Sequence, residues 1–128
     1  MSESNWEFFS REELACRGTG ECNMDEAFME KLVALRIAYD NPMILSSAYR
    51  SPEHNANIGG TKNSPHIYGK AVDVLCYGRD AYNLLSLALQ LGFTGIGISQ
   101  KGDVSKRFIH IDTMERSDIH MRPTVWSY

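Results

Sequence analysis

The apolar residues of this chain change their period several times, and the changes mark its elements. Between Asp25 and Asp40, Phe28, Leu32, Leu35 and Tyr39 recur at the spacing of one helix face, and Met29 and Val33 widen the stripe. Asp25 can cap that helix and Pro42 follows its end. A second amphipathic stripe, "DAYNLLSLALQLG", covers residues 80–92 and closes on Gly92, in the usual C-terminal position. Ahead of both, Ser10 followed by Glu13 has capping-box spacing, which predicts a short helix over "SREELACR".

Four other segments read as strands: "MILSSAYR" (43–50), "GKAVDVLCY" (69–77), "TGIGIS" (94–99) and "RFIHIDT" (107–113). Residues 51–63 are mostly turn-formers with room for one helical turn, and the tail, "RPTVWSY", is expected to pack back on the body. Helices and strands do not alternate strictly. The fold class this implies is α+β, a small, mainly antiparallel sheet with helices packed on it.

Period-2 alternation puts Phe108, His110 and Asp112 on one face of the last strand, and Ala71, Asp73 and Leu75 on one face of the central one. His66 lies seven positions before Asp73, a parity that one straight strand would set on opposite faces. A bend near Tyr68-Gly69 removes that objection. His66, Asp73 and His110 then make two imidazoles and a carboxylate, a sensible set for Zn²⁺ that leaves a fourth position open. An open site is the catalytic kind, because the metal acidifies a water and polarises a carbonyl. Spacing alone leaves the alternative of two satisfied histidines and a solvated aspartate.

Length and composition narrow the classes. The chain has 128 residues, which predicts one domain over 1–128. Hydrophobic content of 43% and charged content of 23% are those of an ordinary globular protein. A net charge of −3 argues against a nucleic-acid partner. No apolar run approaches the roughly 18 residues that would span a membrane. The start, "MSESNWEFFSREE", is acidic and lacks the apolar core of a secretory signal. The chain is therefore expected in the cytoplasm, reaching any outside target only after release or export. Cys16, Cys22 and Cys76 are an odd number, and the Cys16–Cys22 spacing is not that of a zinc knuckle. Cys76 reads as a small core residue.

The joint pattern Ser64-x-His66-x-x-Gly69-x-Ala71-x-Asp73, with Tyr49-Arg50-Ser51-Pro52 before it and His110-x-Asp112 after it, resembles the zinc D-alanyl-D-alanine carboxypeptidase and endopeptidase family. These are peptidoglycan peptidases whose fold is shared with the hedgehog signalling domain. The resemblance runs from about residue 10 to the end. It implies zinc ligands at His66, Asp73 and His110, the same three residues that strand geometry brings together. It also implies a substrate-binding and catalytic role for Arg50, whose guanidinium suits a carboxylate or carbonyl, and a hydrogen-bonding role near the metal for Ser64. The implied partner is a peptidoglycan stem peptide, cut by a monomer at a D-Ala-D-Ala, L-Ala-D-Glu or cross-link bond, as in a phage endolysin. A non-catalytic zinc-bearing binding module and a phage structural protein are the alternatives.

The chain departs from the family at one place. Many members carry an acid or a histidine a few residues before the last ligand as general base, and "VSKRFI" offers neither. Asp112 is then expected either to act as that base or to orient a ligand histidine, with Asp103 a more distant candidate. His54 is expected in loop structure and His120 in a solvated tail.

Overall fold

The computed structural model describes residues 6–128. The capping box at Ser10 and Glu13 forms as expected, but its helix, α1 (Arg11–Leu14), is shorter than predicted because the chain turns extended at Ala15. The stripe from Phe28 to Tyr39 becomes α2 (Glu26–Tyr39), with the Asp25 carboxylate accepting from Phe28 N. The amphipathic segment before Gly92 becomes α4 (Gly78–Gln90). The turn-former stretch contains a six-residue helix, α3 (Pro52–Asn57), started by the Ser51 hydroxyl and by Pro52 in the first turn. Among the described residues no helix is long and apolar enough to cross a membrane.

The four expected strands form with trimmed ends: β1 (Ile44–Ser47), β2 (Ala71–Leu75), β3 (Gly95–Ser99) and β4 (Phe108–Asp112). The tail supplies a fifth, β5 (Thr124–Ser127), and the sheet order is β1-β2-β4-β3-β5. β1–β2, β2–β4 and β3–β4 pair antiparallel, whereas β3–β5 is parallel, so the sheet is mixed rather than wholly antiparallel. The fifth strand was illegible as such because it is short, follows Pro123 and has no fully buried residue.

Alternation divides the sheet between two jobs. Val72, Val74, Ile96, Ile109 and Ile111 are sealed in the core with Phe28, Met29, Leu32 and Leu35 of α2 and Leu84 and Ala88 of α4. The intervening residues point to the other face. One row there crosses the whole sheet: Ser47, Asp73, His110, Gly97, Trp126. The hydrophobic burial that fixes the strand faces therefore also fixes which side chains meet on the open side.

The bend expected before β2 is a 3-10 turn, Pro65–Tyr68, closed by Gly69 at φ +67°. Gly69 also lies against the start of α2. Its carbonyl accepts from Asp25 N at 2.9 Å, and a Cβ there would run into the backbone of residues 23–25. Gly69→Ala would combine a left-handed backbone, costing roughly 1–2 kcal/mol, with that clash. It should lower unfolding free energy by about 2 kcal/mol or more in urea denaturation; an unchanged midpoint would contradict this docking.

Candidate metal centre

The site begins with the β2–β4 register. Antiparallel pairing sets Asp73 directly opposite His110 on the open face. His66 comes from the 3-10 turn, not from a strand. The Ser64 hydroxyl caps that turn by accepting from His66 N at 3.3 Å, and the His66 carbonyl accepts from Arg50 N at 3.1 Å. Ser64 thus holds the ligand-bearing backbone while also lining the cleft.

The three side chains converge. His66 Nε2 is 3.3 Å and His110 Nδ1 is 3.0 Å from the same oxygen, Asp73 Oδ1. The imidazole rings meet edge to face with centroids 5.2 Å apart. One donor atom from each of the three lies within 4.8 Å of the others, and all three residues are buried.

The remaining ring nitrogens are anchored from behind. His66 Nδ1 is 2.7 Å from the Ala48 carbonyl, which can only accept, so that nitrogen carries the proton and Nε2 keeps its lone pair. His110 Nε2 is 2.7 Å from Asp112 Oδ2, so the proton held there leaves Nδ1, 3.0 Å from Asp73 Oδ1, as the nitrogen that would give up its proton to a cation. This is the backing that metal-binding histidines need, so the donor set fits a divalent cation that favours N and O ligands.

Electrostatics agree with the geometry. Burial works to raise the Asp73 carboxyl, but the two imidazoles outweigh it and hold the group well below the ordinary carboxylate range. Burial likewise opposes ionisation of Asp112, yet hydrogen bonds from His110 and Arg122 bring it down to about 2. Burial disfavours a charged His110, and its bonds to Asp112 and Asp73 reverse that and raise it.

The three residues sit in the wall of a cleft of about 500 Å³. Arg50, Lys62 and Arg122 also line it, and Asp73 is the one carboxylate among the described lining residues. Arg50 is held at the wall by Ser47 Oγ (3.2 Å from Nε) and Asn55 Oδ1 (3.0 Å from Nη1), with Nη2 3.8 Å from Asp73 Oδ2.

The other candidates lie elsewhere. Asp112 is fully buried and does not line the cleft; its oxygens accept from His110, Arg122 and Met114 N. Asp103 is exposed, caps a short turn through Ser105 and is likewise outside the cleft lining. His54 stands on α3 against Gly18. No disulfide joins the cysteines among the described residues.

His120 departs from expectation. Only 8% exposed, it lines the cleft, with Nε2 2.8 Å from the Asn63 carbonyl and its ring edge-on to Tyr68. Tertiary folding of residues 113–123 over the cleft removes this imidazole from the solvent that the polar tail suggested. Trp126 was also missed. Its alternation within "TVWS" was the available signal, and it packs 5.1 Å from the His110 ring.

Comparison with known proteins adds two findings. A family model described as Peptidase M15 matches residues 7–112. The zinc D-Ala-D-Ala carboxypeptidase of Streptomyces albus G is 39% identical over 69 residues, which are 53% of this chain and 27% of that protein. The match thus spans about a quarter of the relative's length.

The Asp112–Arg122 pair is buried on both sides, so removing one partner strands the other charge. In metal-free protein Asp112→Ala should cost about 3 kcal/mol or more in urea unfolding. A loss below about 0.5 kcal/mol, the size of an ordinary surface substitution, would mean that the pair does not form in solution.

Proposed function

The chain belongs to the peptidase M15 family, and on that premise we propose that it is a zinc peptidase hydrolysing the D-Ala-D-Ala bond of bacterial peptidoglycan stem peptides. The observation that carries the reading is the convergence of His66 Nε2 and His110 Nδ1 on Asp73 Oδ1 in the wall of a cationic cleft. The bond specificity follows the name of the Streptomyces relative. The single domain over 1–128 is part of the same reading.

His66, Asp73 and His110 would hold the ion. When bound, zinc polarises a carbonyl and acidifies a water, the two demands of peptide hydrolysis. The chain's own residues do the rest. Ala48 and Asp112 hold one nitrogen of each imidazole from behind, so that the other would be the one offered to the ion. Asp73 stays ionised between them. Arg50, braced by Ser47 and Asn55, turns its guanidinium toward the centre, where it can hold the terminal carboxylate or the scissile carbonyl of a peptide. Lys62 adds positive charge to the same wall, which suits an anionic chain end. Asp112 acts here as an orienting group, since both of its oxygens are already engaged behind His110.

One observation favours a second reading, a zinc-bearing module that binds without cutting: residues 104–109, "VSKRFI", supply no acid or histidine ahead of His110. Mass spectrometry of muropeptides after incubation with the zinc-loaded protein separates the two. Release of the terminal D-Ala is expected; intact stem peptides at high protein concentration would leave the binding module standing.

Two further outcomes test the residues. Protein purified without added metal should carry close to one zinc per chain, and His110→Ala should lose it; full zinc content in that variant would overturn the ligand set. Arg50→Ala should keep zinc and fold but lower kcat/KM by about 10²-fold, with poor rescue by lysine, which lacks the fork. Near-normal turnover would make Arg50 a structural residue.

A further inference from the structure

The family match ends at Asp112, yet the metal centre draws on residues that come after it. Arg122, in the segment leading into β5, grips Asp112 with a two-pronged contact: Nε is 3.0 Å from Oδ1 and Nη2 is 2.8 Å from Oδ2. That same Oδ2 is 2.7 Å from His110 Nε2. The guanidinium is itself fixed. Its Nη1 donates to the Met121 carbonyl, and its carbon lies 5.3 Å from the centre of the Trp126 ring, which in turn packs on His110. Trp126 can lie there because its neighbour in the row is Gly97, where a Cβ would come within 2.6 Å of the indole nitrogen.

We propose that Arg122 is a positioning residue for the metal centre, setting metal affinity through Asp112 and His110 without touching the ion. The inference rests on the metal-site reading given above. Asp112 is wholly buried, and a buried carboxylate with no cationic partner is costly to keep. Arg122 offsets that cost and, by binding both oxygens, fixes the plane of the carboxylate. The carboxylate then fixes the His110 ring, holding the N–H at Nε2 and leaving Nδ1 for the ion. Without Arg122, Met114 N alone would hold Oδ1, the carboxylate plane would be free to turn, and His110 would lose its firm backing.

The test is metal binding by the full chain, with no substrate present. Metal-free protein is titrated with Zn²⁺ against a chelating dye, and with Co²⁺ for its visible absorption. Arg122→Ala should bind zinc about 10- to 100-fold more weakly than wild type and show an altered cobalt spectrum. Arg116→Ala, at an exposed position of the same segment, should match wild type in both. In an Asp112→Asn background Arg122→Ala should add little further loss, because the route through Asp112 is already cut. Should Arg122→Ala fail to fold, Arg122→Lys gives the same reading, with a loss of about threefold or more expected from the missing fork. Wild-type affinity and spectrum in the folded variant would overturn the proposal, as would a full Arg122→Ala effect persisting beside Asp112→Asn. Failure of wild type itself to bind zinc is a different result, and it overturns the metal centre as a whole.

Discussion

The antiparallel pairing of β2 with β4 is the constraint on which the rest depends. It sets Asp73 opposite His110 and, one residue away on each strand, Val72 opposite Ile111 and Val74 opposite Ile109. A slip of one residue would turn the aliphatic rows out to water and the carboxylate and imidazole into the core. Five nearly solvent-free aliphatic side chains on these strands and β3 oppose that slip. The chemistry on the open face is therefore held in place by burial on the other face.

Polar groups are buried around this register, and each has a partner. No buried side-chain nitrogen or oxygen among the described residues is left without a hydrogen bond. The order of the contacts has a logic: Arg122 holds Asp112, Asp112 holds His110, and His110 meets Asp73 beside His66. Charge alternates along the first steps, so each buried ion sits beside its opposite. On the other side the chain uses a backbone carbonyl, that of Ala48, for the same task. A carbonyl cannot donate, so it selects the tautomer as firmly as a carboxylate, without adding charge.

Much of this was legible in the sequence, for identifiable reasons. The faces of β2 and β4 follow from simple alternation, which local sequence carries directly. The bend that brings His66 round was announced by Gly69, since few other residues accept its backbone angle. The grip of Arg122 on Asp112 had no local signal. It joins residues ten apart across a chain reversal, and no period connects them. β5 was hidden because an edge strand of four residues carries only two periods of its alternation, too few to stand out from a tail. His120 was misplaced because polar neighbours describe a segment's composition, not what it folds over.

The row that crosses the sheet, Ser47, Asp73, His110, Gly97, Trp126, is graded in polarity. Arg50 rests on the hydroxyl at the β1 end, and an indole stands at the β5 end. Between them Gly97, with no side chain, makes room for the indole to lie over the strand. Arg122, near the indole, has its charge matched by Asp112 and gives that end little net pull. The cleft therefore has a head and a tail. A molecule lying across the strands meets charge at one end and an aromatic wall at the other, so it has one preferred direction of entry before any bond is aligned.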